Sequence, residues 1–163
     1  MLITRLLFTA QLLACGSLLG FGFYLQYVEF LDPCPLCMVQ RLCFFAIGVV
    51  ALIAVIHGSA GLFGRVYAVV LVLFTSAGAA VAGRQIWLQH SPDADKLECG
   101  AGLEVMLETM PFYDVVAKVL KGTGDCAVVQ WTLLDLSIPE WAFMCFMAML
   151  LTNLFLLFKR NRG

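Results

Sequence analysis

Four stretches of this chain have a length and composition that water cannot accommodate. Leu6 to Val28 carries no charge over 23 residues. Leu42 to Ile56, Val66 to Gly83 and Trp141 to Phe158 are likewise uncharged. The second pattern reaches back to Met38 if Gln40 and Arg41 are tolerated, and the third continues past Arg84 to Leu88. Each approaches the ~20 residues that cross a hydrocarbon layer of about 30 Å. Hydrophobic residues make up 62% of the 163-residue chain, well above the roughly 45–50% of soluble domains. A backbone in lipid must satisfy its own hydrogen bonds, so runs of this length are helices rather than open strands. The sequence therefore predicts an all-α membrane protein: one integral domain over 1–163, built as a four-transmembrane-helix bundle. The spans fall at about 6–28, 38–56, 66–88 and 141–158, and the outer loops at about 29–37 and 89–140. His57-Gly58-Ser59-Ala60-Gly61 reads as a helix-to-helix turn.

Charge distribution sets the expected orientation. Arg5, Arg65, Lys159, Arg160 and Arg162 lie on one side, which holds none of the 11 acidic residues. Glu29, Asp32 and the acids from Asp93 to Glu140 all lie on the other. Basic residues in short flanks stay inside, so both termini are expected in the cytoplasm and the long loop outside, in the periplasm of a bacterial inner membrane. Leu13-Ala14-Cys15-Gly16 imitates a lipoprotein cleavage site. Cleavage there would halve the first span, so neither lipidation nor a cleaved signal is expected. No nucleic-acid partner is expected.

The seven cysteines divide by position. Cys15, Cys43 and Cys145 sit within apolar runs, where a thiol behaves as a small hydrophobe. Cys34, Cys37, Cys99 and Cys126 lie on the outer side, and an even number of thiols in an oxidising compartment suggests disulfide chemistry. The pair Cys34 and Cys37 stands in Asp32-Pro33-Cys34-Pro35-Leu36-Cys37-Met38-Val39-Gln40-Arg41. Proline suits the first position of a helix, so the second helix is expected to begin near Pro35, with Cys37 in its first turn. Free N–H groups and the positive end of the helix dipole favour a thiolate there. Arg41 falls one turn later on nearly the same face, about 6 Å along the axis. An arginine at that depth either snorkels to the interface or serves the thiol site, and its company favours service. Met38 stands where haem attachment needs histidine. The wide spacing of Cys99 and Cys126 does not match a zinc ribbon, and no metal is expected.

The long loop is not uniformly polar. Tyr113 to Lys121 places Val115, Val116, Val119 and Leu120 on one helical face, and Gly122 and Gly124 are expected to end it. A short interfacial helix fits, as does a loop helix packed on the spans, and either keeps Cys99 and Cys126 near the membrane and near Cys34. Asp93 to Gly102 reads as a mobile stretch.

These pieces resemble one known family. Pro33-Cys34-Pro35-Leu36-Cys37 with Gln40-Arg41, Leu88-Gln89, Cys99, Gly124-Asp125-Cys126-Ala127 with Gln130-Trp131, and Pro139-Glu140-Trp141 are similar to the bacterial disulfide bond formation protein B family, DsbB, over essentially the whole chain. The resemblance implies a thiol–quinone oxidoreductase. Cys99 paired with Cys126 would be attacked by a reduced periplasmic thioredoxin-fold, DsbA-like protein. Cys126 would pass electrons through a transient bond to Cys34, freeing Cys37 as a thiolate beside a quinone, ubiquinone or menaquinone. Arg41 would hold a quinone oxygen. Where the family often has a histidine near the quinone, this chain has Gln85, which can donate a hydrogen bond but takes up no proton at neutral pH. Two alternatives stand beside this expectation. One is a vitamin K epoxide reductase-like thiol and quinone enzyme, where loop cysteines usually precede the CxxC. The other is a non-catalytic membrane scaffold stapled by two disulfides, against which a CxxC bridge closes too small a loop to stabilise much.

Overall fold

The computed structural model describes residues 2–57, 62–91, 103–122, 124–129 and 131–160. The stretch 92–102, with Cys99, lies outside the described residues, as does the turn 58–61. Four long helices carry the fold: α1 (Leu2–Tyr27), α2 (Pro35–His57), α3 (Leu62–Gln89) and, at the chain's end, α7 (Ile138–Arg160). Each holds a stretch long and apolar enough to cross a membrane. Between α3 and α7 lie α4 (Leu103–Thr109), α5 (Phe112–Lys121), the single turn α6 (Gly124–Ala127) and a two-stranded hairpin, β1 (Thr132–Leu133) with β2 (Leu136–Ser137).

The bundle is apolar outside as well as in its core, and its few polar side chains within the spans turn inward. Leu6, Leu13, Leu42, Phe45, Ile56, Leu73, Leu151 and Phe158 face outward, while Gln11, Gln40, Thr75, Gln85 and Asn153 are buried. Lipid welcomes the first group, and the second group finds hydrogen-bond partners only inside. Helices α1 and α2, α2 and α3, and α3 and α7 pack extensively, whereas α1 meets α7 along a sparse seam. The central core joins Phe8, Cys15, Ile47, Leu71 and Phe146. Phe44 and Phe146 stack with centroids 4.0 Å apart. Gly78 makes room for that stack, because a Cβ there would run into the Phe146 ring.

The helices outrun the apolar stretches that announce them. Backbone hydrogen bonds continue through interfacial residues once a helix is nucleated, so composition marks the lipid-facing part and caps mark the ends. Helix α2 begins at Pro35, with Met38 N–H donating to the Cys34 carbonyl at 3.1 Å. Helix α7 begins three residues before Trp141, and Ser137-Ile138-Pro139-Glu140 explains why. Ser137 N–H donates to Glu140 Oε2 at 2.6 Å, half of a capping box.

The loop helices build a second core at the CxxC end of the bundle, where Leu36, Leu88, Met106, Val115 and Val119 enclose Cys34 and Cys126. The expected valine face of α5 splits. Val115 and Val119 turn inward, while Val116 and Leu120 stay exposed with Phe112 and Tyr113. A step of 100° per residue separates the two pairs. Gly122 alone ends α5, at φ 88°, a left-handed conformation that favours glycine. Gly124 instead opens α6. Arg84 of α3 donates from Nε to Leu120 O at 3.3 Å and from Nη2 to Lys121 O at 3.2 Å, tying the end of α5 to the bundle.

Candidate active site

The local fold around the CxxC makes Cys34 the N-cap of α2. Its sulfur accepts the backbone N–H of Cys37 at 3.4 Å, the position a serine or aspartate oxygen usually takes. This sets the two sulfurs 2.9 Å apart. On its other side Cys34 hydrogen-bonds the Cys126 thiol of α6. The Cys126 bond first, then the bond to Cys37 and burial, push the Cys34 thiol well above the ordinary thiol range. Three sulfurs thus form a row, Cys126, Cys34 and Cys37, although Cys126 lies far along the chain.

The ends of the row face different surroundings. A cavity of about 360 Å³ opens between α1, α2 and α7, lined by Leu18, Gly22, Cys37, Arg41, Trp131 and Cys145 among others. Of the three clustered sulfurs, Cys37 alone reaches it. Its walls are almost wholly apolar, with Gln40 and Arg41 as the polar exceptions. The hairpin lies over the cavity at the CxxC end of the bundle. Leu133 lines the cavity and its carbonyl accepts Trp141 Nε1–H at 3.1 Å, while Trp131 meets Phe21 edge-on at 5.6 Å.

Arg41 is held in place. Its Nη1 donates to Gln26 Oε1 at 2.6 Å and its Nη2 to the Gly22 carbonyl at 2.8 Å, and its guanidinium lies over the Phe23 ring. Gly22 allows this approach, since a Cβ there would stand 3.2 Å from Arg41 Nε. A guanidinium has five N–H donors, so donors remain for a ligand in the cavity.

Gln85 sits elsewhere. It does not line the large cavity. It lies behind the sulfurs, 3.2 Å from Cys37 Sγ and 3.3 Å from Cys34 Sγ through Nε2, and its Oε1 accepts Gln40 Nε2–H at 2.8 Å. Sequence reading gave Gln40 no role. The signal was present, because Gln40 is three residues past Cys37, shares its helix face, and is an amide inside an apolar run. Of the cysteines within the spans, Cys15 is core, whereas Cys145 is half-buried at the cavity wall. Cys99 falls outside the described residues.

The family model for disulfide bond formation protein DsbB matches residues 4–156. The chain belongs to the DsbB family. Its relatives include disulfide bond formation protein B of Hahella chejuensis, 48% identical over 89% of this chain and 88% of the relative. The Marinobacter nauticus protein is 43% identical over 96% and 94%, and disulfide bond formation protein B 1 of Pseudomonas aeruginosa 45% over 90% of each. Membership in DsbB and the four apolar helices together make this a multi-pass membrane protein of disulfide bond formation, a thiol oxidoreductase by class.

Proposed function

We propose that this chain reoxidises a periplasmic, DsbA-like thioredoxin-fold dithiol and passes the electrons to a membrane quinone, ubiquinone or menaquinone. One observation carries the reading: Cys37 ends a row of three sulfurs and is the member that lines an apolar cavity with Arg41 on its wall.

The residues present suit a quinone. Arg41 and Gln40 offer N–H groups for its oxygens, and the apolar remainder suits its ring and tail. A quinone bound there supplies an acceptor for two electrons and two protons. The chain's own residues do the rest. A thiolate of the reduced partner attacks Cys99 of a Cys99–Cys126 disulfide, and the second partner thiol releases the oxidised partner. Cys126 then attacks Cys34, forming a Cys126–Cys34 bond and breaking Cys34–Cys37, so that the electron pair leaves on Cys37 Sγ at the cavity wall. Cys99 then attacks Cys126, restoring Cys99–Cys126 and releasing Cys34. The Cys34 and Cys37 dithiol would give two electrons and two protons to a bound quinone as its own disulfide re-forms, so the net reaction converts one partner dithiol and one quinone into one disulfide and one quinol. The uncharged spans and the basic, acid-free flanks at Arg5, Arg65 and Lys159 to Arg162 fit an inner-membrane placement with cytoplasmic termini and an outward-facing CxxC.

The test combines purified protein, reduced DsbA-like partner and quinone, and follows quinol by absorbance. Quinol should form in proportion to partner oxidised, and Cys37→Ser should abolish turnover. Arg41→Ala should raise the quinone KM by about 10-fold with a smaller change in kcat, the signature of lost binding. An absence of quinol with both quinone types overturns the reading.

A further inference from the structure

Two buried glutamines face the CxxC from inside the bundle, and the mechanism above leaves both without a task toward sulfur. Gln40 is 4% exposed and Gln85 3%. Primary amides in a membrane interior are costly unless bonded, and they accumulate where function needs them. Their bonds run in one direction. Gln40 Nε2 donates to Gln85 Oε1 at 2.8 Å, which engages that oxygen and leaves Gln85 Nε2 facing Cys37 Sγ at 3.2 Å and Cys34 Sγ at 3.3 Å. Cys37 Sγ also stands 3.5 Å from Gln85 Oε1, the longest of these distances, where a protonated Cys37 thiol would donate. A sulfur that has lost its proton, or never regained one, has only the N–H side to turn to.

We propose that Gln40 is a positioning residue for the thiol exchange: by holding Gln85 Oε1 it keeps the Gln85 amide N–H aimed at Cys37 and Cys34. The inference deepens the proposed exchange and rests on it in taking Cys37 as the released sulfur. When the Cys34–Cys37 bond breaks, the electron pair arrives on Cys37 Sγ, and no proton moves in that step. An amide N–H already pointed at that atom stabilises the new charge without having to rotate. The donor is neutral and does not titrate, so its support is the same at any pH at which the protein is folded. Gln40 lines the large cavity, whereas Gln85 lines a separate small pocket with Cys34 and Cys37, so Gln40 is also the link between the ligand-facing wall and the sulfurs.

The test measures alkylation of Cys37 by iodoacetamide in the reduced, full-length protein at fixed neutral pH. Fragment masses separate Cys37 from Cys34. Neither partner nor quinone takes part, so a failure here is distinct from a failure of the quinone reading. Gln85→Leu should slow alkylation by about 10-fold, in line with the loss of one hydrogen bond to an anion. Gln40→Met, similar in length but without the N–H, should slow it about 3- to 10-fold, and the double variant should be no slower than Gln85→Leu alone. Loosened packing would instead expose the thiol and speed the reaction. Should Gln40→Met fail to fold, Gln40→Glu takes its place. Its carboxylate accepts the Gln85 N–H, turns the amide away from sulfur and should also slow alkylation. An unchanged or faster rate in the Gln40 variants, or additive effects in the double variant, overturns the proposal.

Discussion

At the residue scale, the two thiols of one CxxC have been given different environments by three positions of chain. Cys34 caps the helix, is 6% exposed, and is enclosed by the second core and the Cys126 thiol. Its raised pKa means less thiolate at any given pH, and each unit of elevation removes about 10-fold. Alkylation of the reduced protein at pH 7 to 8 should therefore modify Cys37 at least about 10-fold faster than Cys34. Quantitative mass spectrometry of the peptide reads both rates, and equal labelling at neutral pH would contradict the assignment. The same asymmetry suits a sulfur that receives attack at Cys34, beside Cys126, and a sulfur that leaves at Cys37, on the cavity wall.

At the scale of elements, the second core beside the CxxC depends on how α5 is tethered. Its last carbonyls would be orphans without the Arg84 side chain, and a cation there also complements the helix dipole. Arg84→Ala should destabilise α5 locally by about 1 kcal/mol, which speeds amide exchange in that helix about 5-fold and leaves α7 unchanged. Exchange in α5 that does not respond would show that Val115 and Val119 suffice to hold it. What was legible in the sequence follows the same division. The spans and α5 declare themselves because lipid and amphipathic periodicity each impose a pattern on neighbouring residues. The hairpin does not. Its turn places Leu134 at φ 55° and Asp135 at φ 63°, with none of the Asn-Gly or Asp-Gly chemistry that usually marks such a turn. Tertiary packing holds it, through Trp141 and Trp131. The capping pattern Ser137 to Glu140 was readable but stood within a stretch taken as loop. The meeting of Cys126 with Cys34 is a long-range contact: the amphipathic loop helix implies that the two lie near each other, and the family resemblance implies their exchange. Arg41 drew attention as the charged residue one turn from Cys37, while the neutral Gln40 beside it makes the link to Gln85.

At the scale of the whole molecule, the cavity lies along the seam where the first and last spans meet. That seam is sparse at the CxxC end, where Leu18, Gly22 and Leu25 of α1 face Ala142 and Cys145 of α7 across open volume. Toward the other end it is closed by a reciprocal pair of amides. Gln11 Nε2 donates to Asn153 Oδ1 at 3.0 Å, and Asn153 Nδ2 to Gln11 Oε1 at 3.2 Å, with both side chains buried. Gln11 precedes Leu18 by about two helical turns, so the clamp lies roughly 10 Å from the cavity along α1. Hydrogen bonds between membrane helices contribute about 0.6 kcal/mol on average and up to about 1.7, but an amide deprived of its partner in that interior costs about 1–3 kcal/mol. Gln11→Leu and Asn153→Leu should each therefore destabilise the bundle by about 1–2 kcal/mol. The double variant should be less destabilised than the sum of the two by about 1 kcal/mol, since it removes the stranded amide along with its partner. Unfolding of the four proteins by denaturing detergent gives the cycle. A coupling near zero would mean that the seam is held by apolar packing alone, and that the cavity owes its inner boundary to Phe44 and its neighbours rather than to the clamp.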